Sequence, residues 1–211
     1  MPETFSDPAA LAVALIARLD PRPEGPRQIV ALAGPPGAGK STLVEALLRA
    51  LGPVAAVLPM DGYHLDNAVL DARGDRPRKG APWTFDVGGL ARDLQRLAAD
   101  DGAVLVPVFD RSLDLSRAAA REIGPRTRLV LVEGNYLLLD EAPWHALGRF
   151  WDASVALEVP EPVLKARLMQ RWLDHDHTPE QAEARVEAND LPNARQVLAG
   201  SRPADLVIRT G

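Results

Sequence analysis

The stretch "GPPGAGKS", Gly34 to Ser41, restricts this chain more than any other feature in it. It satisfies G-x-x-x-x-G-K-[ST] at each required position, and it follows the apolar run "IVALA" and precedes the amphipathic "STLVEALLRAL". A strand, a glycine turn and a helix N-terminus in that order aim successive backbone N–H groups at a polyphosphate, and the helix dipole adds to them. The motif predicts nucleotide contacts from Gly34, Pro35, Gly37, Ala38, Gly39, Lys40, Ser41 and Thr42. Lys40 is expected on the β- and γ-phosphates and the Ser41 hydroxyl on Mg²⁺. The alternative, a glycine-rich turn that binds nothing, is set aside because motif and flanking elements agree.

Around this unit, short apolar runs at 29–33, 54–59, 104–109, 129–132, 155–159 and 206–208 alternate with helix-length amphipathic segments at 41–51, 87–100, 161–174 and 179–198. Strands apolar on both faces and separated by helices predict a doubly wound, mostly parallel sheet covered on both sides, the α/β P-loop NTPase fold. At 211 residues the simplest organisation is one domain. Residues 1–27 form an N-terminal helix, capped by Ser6 or Asp7 with Pro8 in its first turn, and a Pro/Gly linker. Two long irregular stretches, 61–85 and 110–127, begin at strand C-termini, where open α/β sheets bind ligands.

Composition excludes several functions. With no cysteine, there is no thiolate metal site or cysteine nucleophile. A formal net charge of −5 argues against nucleic acid and acidic membranes as partners. No run approaches the roughly 20 apolar residues of a membrane span, and the segment at 11–16 has acidic instead of basic flanks, so it does not resemble a signal peptide. The cytoplasm is the default location.

Two carboxylates end apolar strands: Asp61 in "PMDGYHLDN" and Glu133 in "RLVLVEG". Burying an unpaired polar group costs about 2–7 kcal/mol, and an ionised carboxylate far more, so both need a reason. A GTPase is disfavoured: the two D-x-x-G matches do not follow strands, Asp86 reads as a helix N-cap, and no N-K-x-D occurs. No L-S-G-G-Q of transport ATPases is present either. Phosphoryl transfer to an alcohol needs an oriented hydroxyl, a carboxylate to accept its proton, Mg²⁺ and cations on the moving group. Asp61 fits the proton acceptor and Glu133 a metal ligand; spacing alone leaves the reverse assignment open. His64 either orients substrate or caps the Tyr63 loop. In "FDRSLD", Asp110, Arg111 and Asp114 suit a polyhydroxylated ligand, or else pair among themselves. "HDH" at 175–177 is discounted as a metal site because i and i+2 on a helix face opposite ways.

Taken together, the P-loop, "MDGYH", "RKGAPWTFD", "PVFDRSLD", "VEGNYLL" and "SRPADLVIRTG" resemble the uridine kinase, phosphoribulokinase and bacterial pantothenate kinase family of P-loop kinases, from about residue 28 onward. The pattern is most similar to the subgroup described as fructose-transport-system or fructokinase-like kinases, which share "DGxHxDN", "KGAPxTFD", "FDRSxD", "EGNYLLL" and "NDxPNA". The resemblance implies an ATP- and Mg²⁺-dependent kinase with Asp61 as catalytic base. It further implies a helical lid within 161–198 whose Arg167 and Arg171 clamp the triphosphate, acceptor contacts from Lys79, Phe85 and Asn135, and adenine contacts from Asn189 and Asn193, with Pro192 breaking the helix between those two. Members of such a family commonly form homo-oligomers. The chain departs from the uridine kinase pattern Y-D-[YF]-x-x-H-x-R, with Asp114 at the histidine and Ser116 at the arginine. A fructose-like sugar is therefore the first expected acceptor and a nucleoside or pantothenate-like alcohol the next. A nucleotide-binding regulator or ATPase without an acceptor is the expectation from another class.

Overall fold

The computed structural model describes residues 2–22 and 24–209. Met1, Pro23 of the expected linker, and Thr210 and Gly211 of "SRPADLVIRTG" lie outside the described residues. In chain order the elements are β1 (Glu3–Phe5), α1 (Pro8–Leu19), β2 (Gln28–Ala33), α2 (Lys40–Leu51), β3 (Ala55–Pro59), α3 (Asn67–Arg73), α4 (Val87–Ala98), β4 (Val104–Asp110), β5 (Leu115–Ile123), β6 (Leu129–Gly134), β7 (Ala153–Glu158), α5 (Glu161–Leu173), α6 (Pro179–Arg185), α7 (Leu191–Gly200) and β8 (Leu206–Arg209).

Six strands form one parallel sheet in the order β1-β8-β7-β2-β6-β3. Alternate residues along β2 enter two different cores, as the two-residue period of a strand requires. Val30 and Leu32 pack with Leu11, Leu15, Leu43 and Leu47 of α1 and α2, whereas Ile29, Ala31 and Ala33 pack with Leu90, Leu94 and Leu97 of α4. Both faces are thus covered, and the fold is the α/β P-loop NTPase fold. Asp7 caps α1, accepting from the Ala9 and Ala10 amides at 3.1 and 3.4 Å, and Asp86 caps α4 through the Gly89 amide at 2.8 Å.

Four expectations need correction. Within 61–85, read as irregular, residues Asn67–Arg73 form α3, capped by Asp66 through the Ala68 amide at 2.8 Å. The run at 104–109 does not join the parallel sheet: as β4 it pairs antiparallel with β5 in a separate ribbon. Val104 and Val106 are buried while Leu105 is exposed, and the register slips between Val106 and Val108, where Pro107 offers no N–H. Residues 115–123, read as irregular, form β5; "LSRAAAREI" lacks the apolar alternation that marks a strand and is held by pairing to β4. Finally, Pro192 does not break the C-terminal helix. It sits in the first turn of α7 directly after a π-turn over Val186–Asp190, where the wider spacing absorbs its missing hydrogen bond.

The parallel register puts the functional loops side by side. Ala33 lies beside Gly134 and Pro59 beside Glu133. The P-loop, Asn135 and Met60 therefore leave the sheet at one level, with β2 at the switch point between β6 and β7.

Candidate active site

Gly37 and Gly39 take φ of +80° and +88°, conformations that side chains rarely adopt, and a Cβ at Gly37 would press on Leu168 of α5. The loop is thereby kept open for phosphate and close to α5. Lys40 folds back across it: its Nζ donates to Gly34 O at 3.0 Å, Pro35 O at 3.1 Å and Asn135 Oδ1 at 2.6 Å. Burial pulls the Lys40 ammonium down to about 8, against the opposing pull of Asp61 and Glu133.

Ser41 Oγ donates to Glu133 Oε2 at 3.3 Å, which joins the helix that follows the P-loop to the end of β6. Burial raises the Glu133 carboxyl above its ordinary range, although Lys40 opposes the shift. One hydroxyl and one carboxylate are hard oxygen donors of the kind Mg²⁺ takes. Among the described residues no group of three or more His, Cys, Asp or Glu side chains could hold a metal ion. A magnesium ion at Ser41 and Glu133 would therefore complete its coordination with phosphate oxygens and water.

Asp61 lies in the short turn Met60–Tyr63 after β3, and Gly62 in the same turn allows β4 to pass, since a Cβ there would overlap the Pro107 carbonyl. The carboxylate accepts from Arg111 Nη2 at 3.2 Å, and His64 Nε2 stands 3.9 Å away. His64 stacks on Phe85 at 4.1 Å and meets Phe109 at 4.8 Å, and this burial lowers its pKa to about 4, so the ring is neutral at physiological pH. The Tyr63 hydroxyl, 2.8 Å from Asp93 Oδ2, anchors the turn from behind.

Around Asp61 opens a cleft of about 630 Å³ whose walls include His64, Lys79, Phe85, Arg111, Asn135 and Arg171. A saturated network of side chains lines one side of it. Lys79 Nζ donates to Asn67 Oδ1 at 2.7 Å and to Asp114 O and Oδ1 at 2.7 and 2.8 Å, and Asn67 and Arg76 donate to Asp114 Oδ2 at 3.1 and 3.3 Å. These donors outweigh burial and hold the Asp114 carboxyl below its ordinary value.

The predicted residues separate into groups. Lys40, Ser41, Glu133 and Asn135 converge on the P-loop, and Asp61, His64, Lys79, Phe85, Arg111 and Asp114 on the cleft. Asp110 turns away: its Oδ1 accepts from the Ser112 amide and hydroxyl at 3.1 and 2.6 Å and the Leu113 amide at 3.3 Å, shaping the hairpin loop. Arg167 reaches the P-loop backbone at Ala38 O, 3.5 Å away, and Arg171 lies in the cleft over the Trp172 ring at 5.7 Å. Asn189 and Asn193 line the same cleft and are engaged with the 78–79 loop: Asn189 accepts from Arg78 Nε at 3.1 Å and donates to Lys79 O at 3.1 Å, and Asn193 accepts from Arg78 Nη2 at 3.5 Å. Sequence reasoning missed Arg185 and Asp190, which border the cleft; Asp190 accepts from Trp172 Nε1 at 2.7 Å. No spacing signal marks them, because the π-turn rotates α6 against α7.

No protein-family model matches the chain. YggC of Escherichia coli (strain K12), itself of uncharacterised function, is 40% identical over 188 residues, 86% of this chain and 77% of that protein. A candidate uridine kinase of Schizosaccharomyces pombe (strain 972), C227.14, is 33% identical over 198 residues, 87% of this chain and 83% of that one. A crystal structure of a candidate fructose transport system kinase from Silicibacter sp. TM1040 superposes with a TM-score of 0.90 at 50% identity, covering 95% of this chain and 98% of that one. The chain belongs to the P-loop kinases of the uridine kinase, phosphoribulokinase and bacterial pantothenate kinase family. It is an ATP-dependent phosphotransferase acting on a small molecule. Among the described residues no helix is long and apolar enough to cross a membrane.

Proposed function

We propose that the chain, working as one kinase domain, transfers the γ-phosphoryl group of ATP to a hydroxyl of a small polyhydroxylated metabolite, a fructose-like sugar in the first instance. The observation that carries this reading is the placement of Asp61: a carboxylate at a strand end, facing a polar cleft, on the same rim as Lys40, Ser41 and Glu133. The cleft, at about 630 Å³, has the size of a small-molecule site.

In this reading the acceptor hydroxyl lies against Asp61. As its oxygen bonds to the γ-phosphorus, the bond from that phosphorus to the β–γ bridging oxygen breaks, ADP leaves, and the hydroxyl proton passes to Asp61 Oδ1 or Oδ2. Lys40, Arg167 and Arg171 meet the negative charge on the phosphoryl oxygens, and closure of α5 over the P-loop excludes water. Mg²⁺, held by Ser41 and Glu133, would neutralise phosphate charge. His64 and Phe85 give the cleft an apolar wall, while Arg111 and Asn135 offer the directed donors and acceptors that hydroxyls require. The saturated network of Lys79 and Asp114 supports the wall behind them. Asn189 and Asn193, bonded to the 78–79 loop, hold that loop in place.

The test is ADP release with Mg²⁺-ATP against fructose, other hexoses, pentuloses, nucleosides and pantothenate, beside Asp61→Asn. The expected result is acceptor-dependent release that falls by about 10²–10⁴-fold in the variant. Background hydrolysis equal in both proteins with every acceptor would overturn the reading.

A further inference from the structure

Lys40 has three N–H donors, and three acceptors consume them. A phosphate oxygen must therefore displace one of them. Two of the acceptors are carbonyls of the P-loop itself, and the third is Asn135 Oδ1, which makes the shortest contact of the three at 2.6 Å. An ammonium donating to an amide oxygen at that distance makes a strong, charge-assisted bond. Asn135 directly follows β6, which lies next to β2 in the sheet, two residues beyond Glu133, and its side chain also lines the cleft that holds Asp61. A single amide is thus shared by the nucleotide side and the acceptor side.

Asn135 is the one of the three acceptors that lies outside the P-loop, and if Lys40 turns from it to a γ-phosphate, a part-buried amide oxygen is left without a donor, which is costly. An acceptor hydroxyl in the cleft is a suitable replacement donor. The following residue strengthens the link, since the Tyr136 hydroxyl donates to Gly80 O at 2.6 Å and ties this strand end to the loop that carries Lys79.

We propose that Asn135 is a positioning residue that couples the two substrates: it holds Lys40 until an acceptor hydroxyl takes the lysine's place on the amide oxygen, and so restrains ATP turnover when no acceptor is bound. The acceptor half of this inference rests on the kinase reading above, and the nucleotide half does not.

The experiment is calorimetric titration of the full chain with a non-hydrolysable ATP analogue and Mg²⁺, without acceptor, for the native protein, Asn135→Ala and Asn135→Asp. ADP release from Mg²⁺-ATP without acceptor is measured in parallel. Removing the amide should tighten analogue binding about tenfold and raise acceptor-free ADP release by a similar factor. The near-isosteric aspartate, which pairs with Lys40, should weaken binding about tenfold. A residue that merely supports the fold would weaken binding in both variants. Unchanged or weaker binding by Asn135→Ala, or tighter binding with acceptor-free release unchanged, overturns the proposal. Because the titration needs no acceptor, its failure leaves the kinase reading standing. Failure of the acceptor panel, in turn, leaves the hold on Lys40 measurable.

Discussion

Arg111 Nη2 stands 3.2 Å from Asp61 Oδ2, so the loop of the β4–β5 ribbon is tied to the carboxylate that ends β3. Both side chains are partly exposed, 56% for Arg111 and 38% for Asp61, and a pair of that kind contributes only about 0–1 kcal/mol. Its value is therefore in placement. The guanidinium can exchange a carboxylate oxygen for a ligand hydroxyl at little cost.

Arg111→Ala should accordingly raise the acceptor KM about tenfold while leaving the ATP KM within about twofold. Steady-state kinetics in both substrates checks this; equal changes in the two KM values would place Arg111 on the nucleotide instead.

Ser41 Oγ and Glu133 Oε2, the pair proposed to hold Mg²⁺, stand 3.3 Å apart beside the P-loop. Glu133→Gln and Ser41→Ala should each raise the Mg²⁺ concentration for half-maximal activity by about tenfold or more. A magnesium titration at fixed ATP reads the shift, and an unchanged midpoint in both variants refutes the assignment.

Gly62 lies where β4 crosses, and an added methyl would overlap the Pro107 carbonyl. Gly62→Ala should cost about 1–3 kcal/mol of stability. Because the displaced ribbon carries Arg111, acceptor KM should rise as well. Retention of both native melting temperature and native KM would show that the two segments do not need this close approach.

Burial holds His64 to a folded pKa of about 4, against 6.5 for the free side chain. The unfolded chain therefore binds a proton that the folded chain refuses between these values. Stability from this group is complete above about pH 6.5 and is lost as pH falls toward 4, by about 3 kcal/mol at most. Denaturant titrations at pH 7 and pH 5 should show a smaller acid loss in His64→Gln than in the native protein; identical slopes with pH would mean that His64 titrates normally.

At the opposite end of the sheet, the Arg27 side chain is fully buried and donates to Thr127 O at 3.1 Å, Gly102 O at 3.0 Å and Gly124 O at 3.2 Å. Asp100 pairs with it and with Arg128 at 3.0 and 2.7 Å. Arg27→Met strips donors from three loop carbonyls and should cost about 3 kcal/mol, a drop of roughly 6–12 °C in Tm for a chain of this size. ATP binding at the far rim should be retained, and a Tm within about 2 °C of native would remove the cluster from the fold's support.

Much of the candidate site could be read in the chain. The glycine spacing of the P-loop, the lysine and serine that follow it, and the carboxylates ending two apolar runs are local signals, because each is tied to one strand end by chemistry that tolerates few alternatives. Other features were not legible. The sequence "LSRAAAREI" has no alternating pattern, so β5 exists only because β4 supplies its partner. Asp110 and Asp114 stand in the same short motif, yet one shapes the hairpin loop while the other is locked by Lys79 and Asn67. Nothing in their spacing separates the two.

The sequence by itself determined a nucleotide-binding α/β fold with its chemistry on one rim, since backbone conformation at Gly37 and Gly39 and apolar runs at strand positions are short-range properties. The tertiary structure alone decided which groups meet. Placing β6 beside β2 brings Asn135 to Lys40 and Glu133 to Ser41, and folding the β4–β5 ribbon across Gly62 brings Arg111 to Asp61. Those contacts join residues 50 to 95 positions apart. Strand order and register set them, and neither can be read from any single segment.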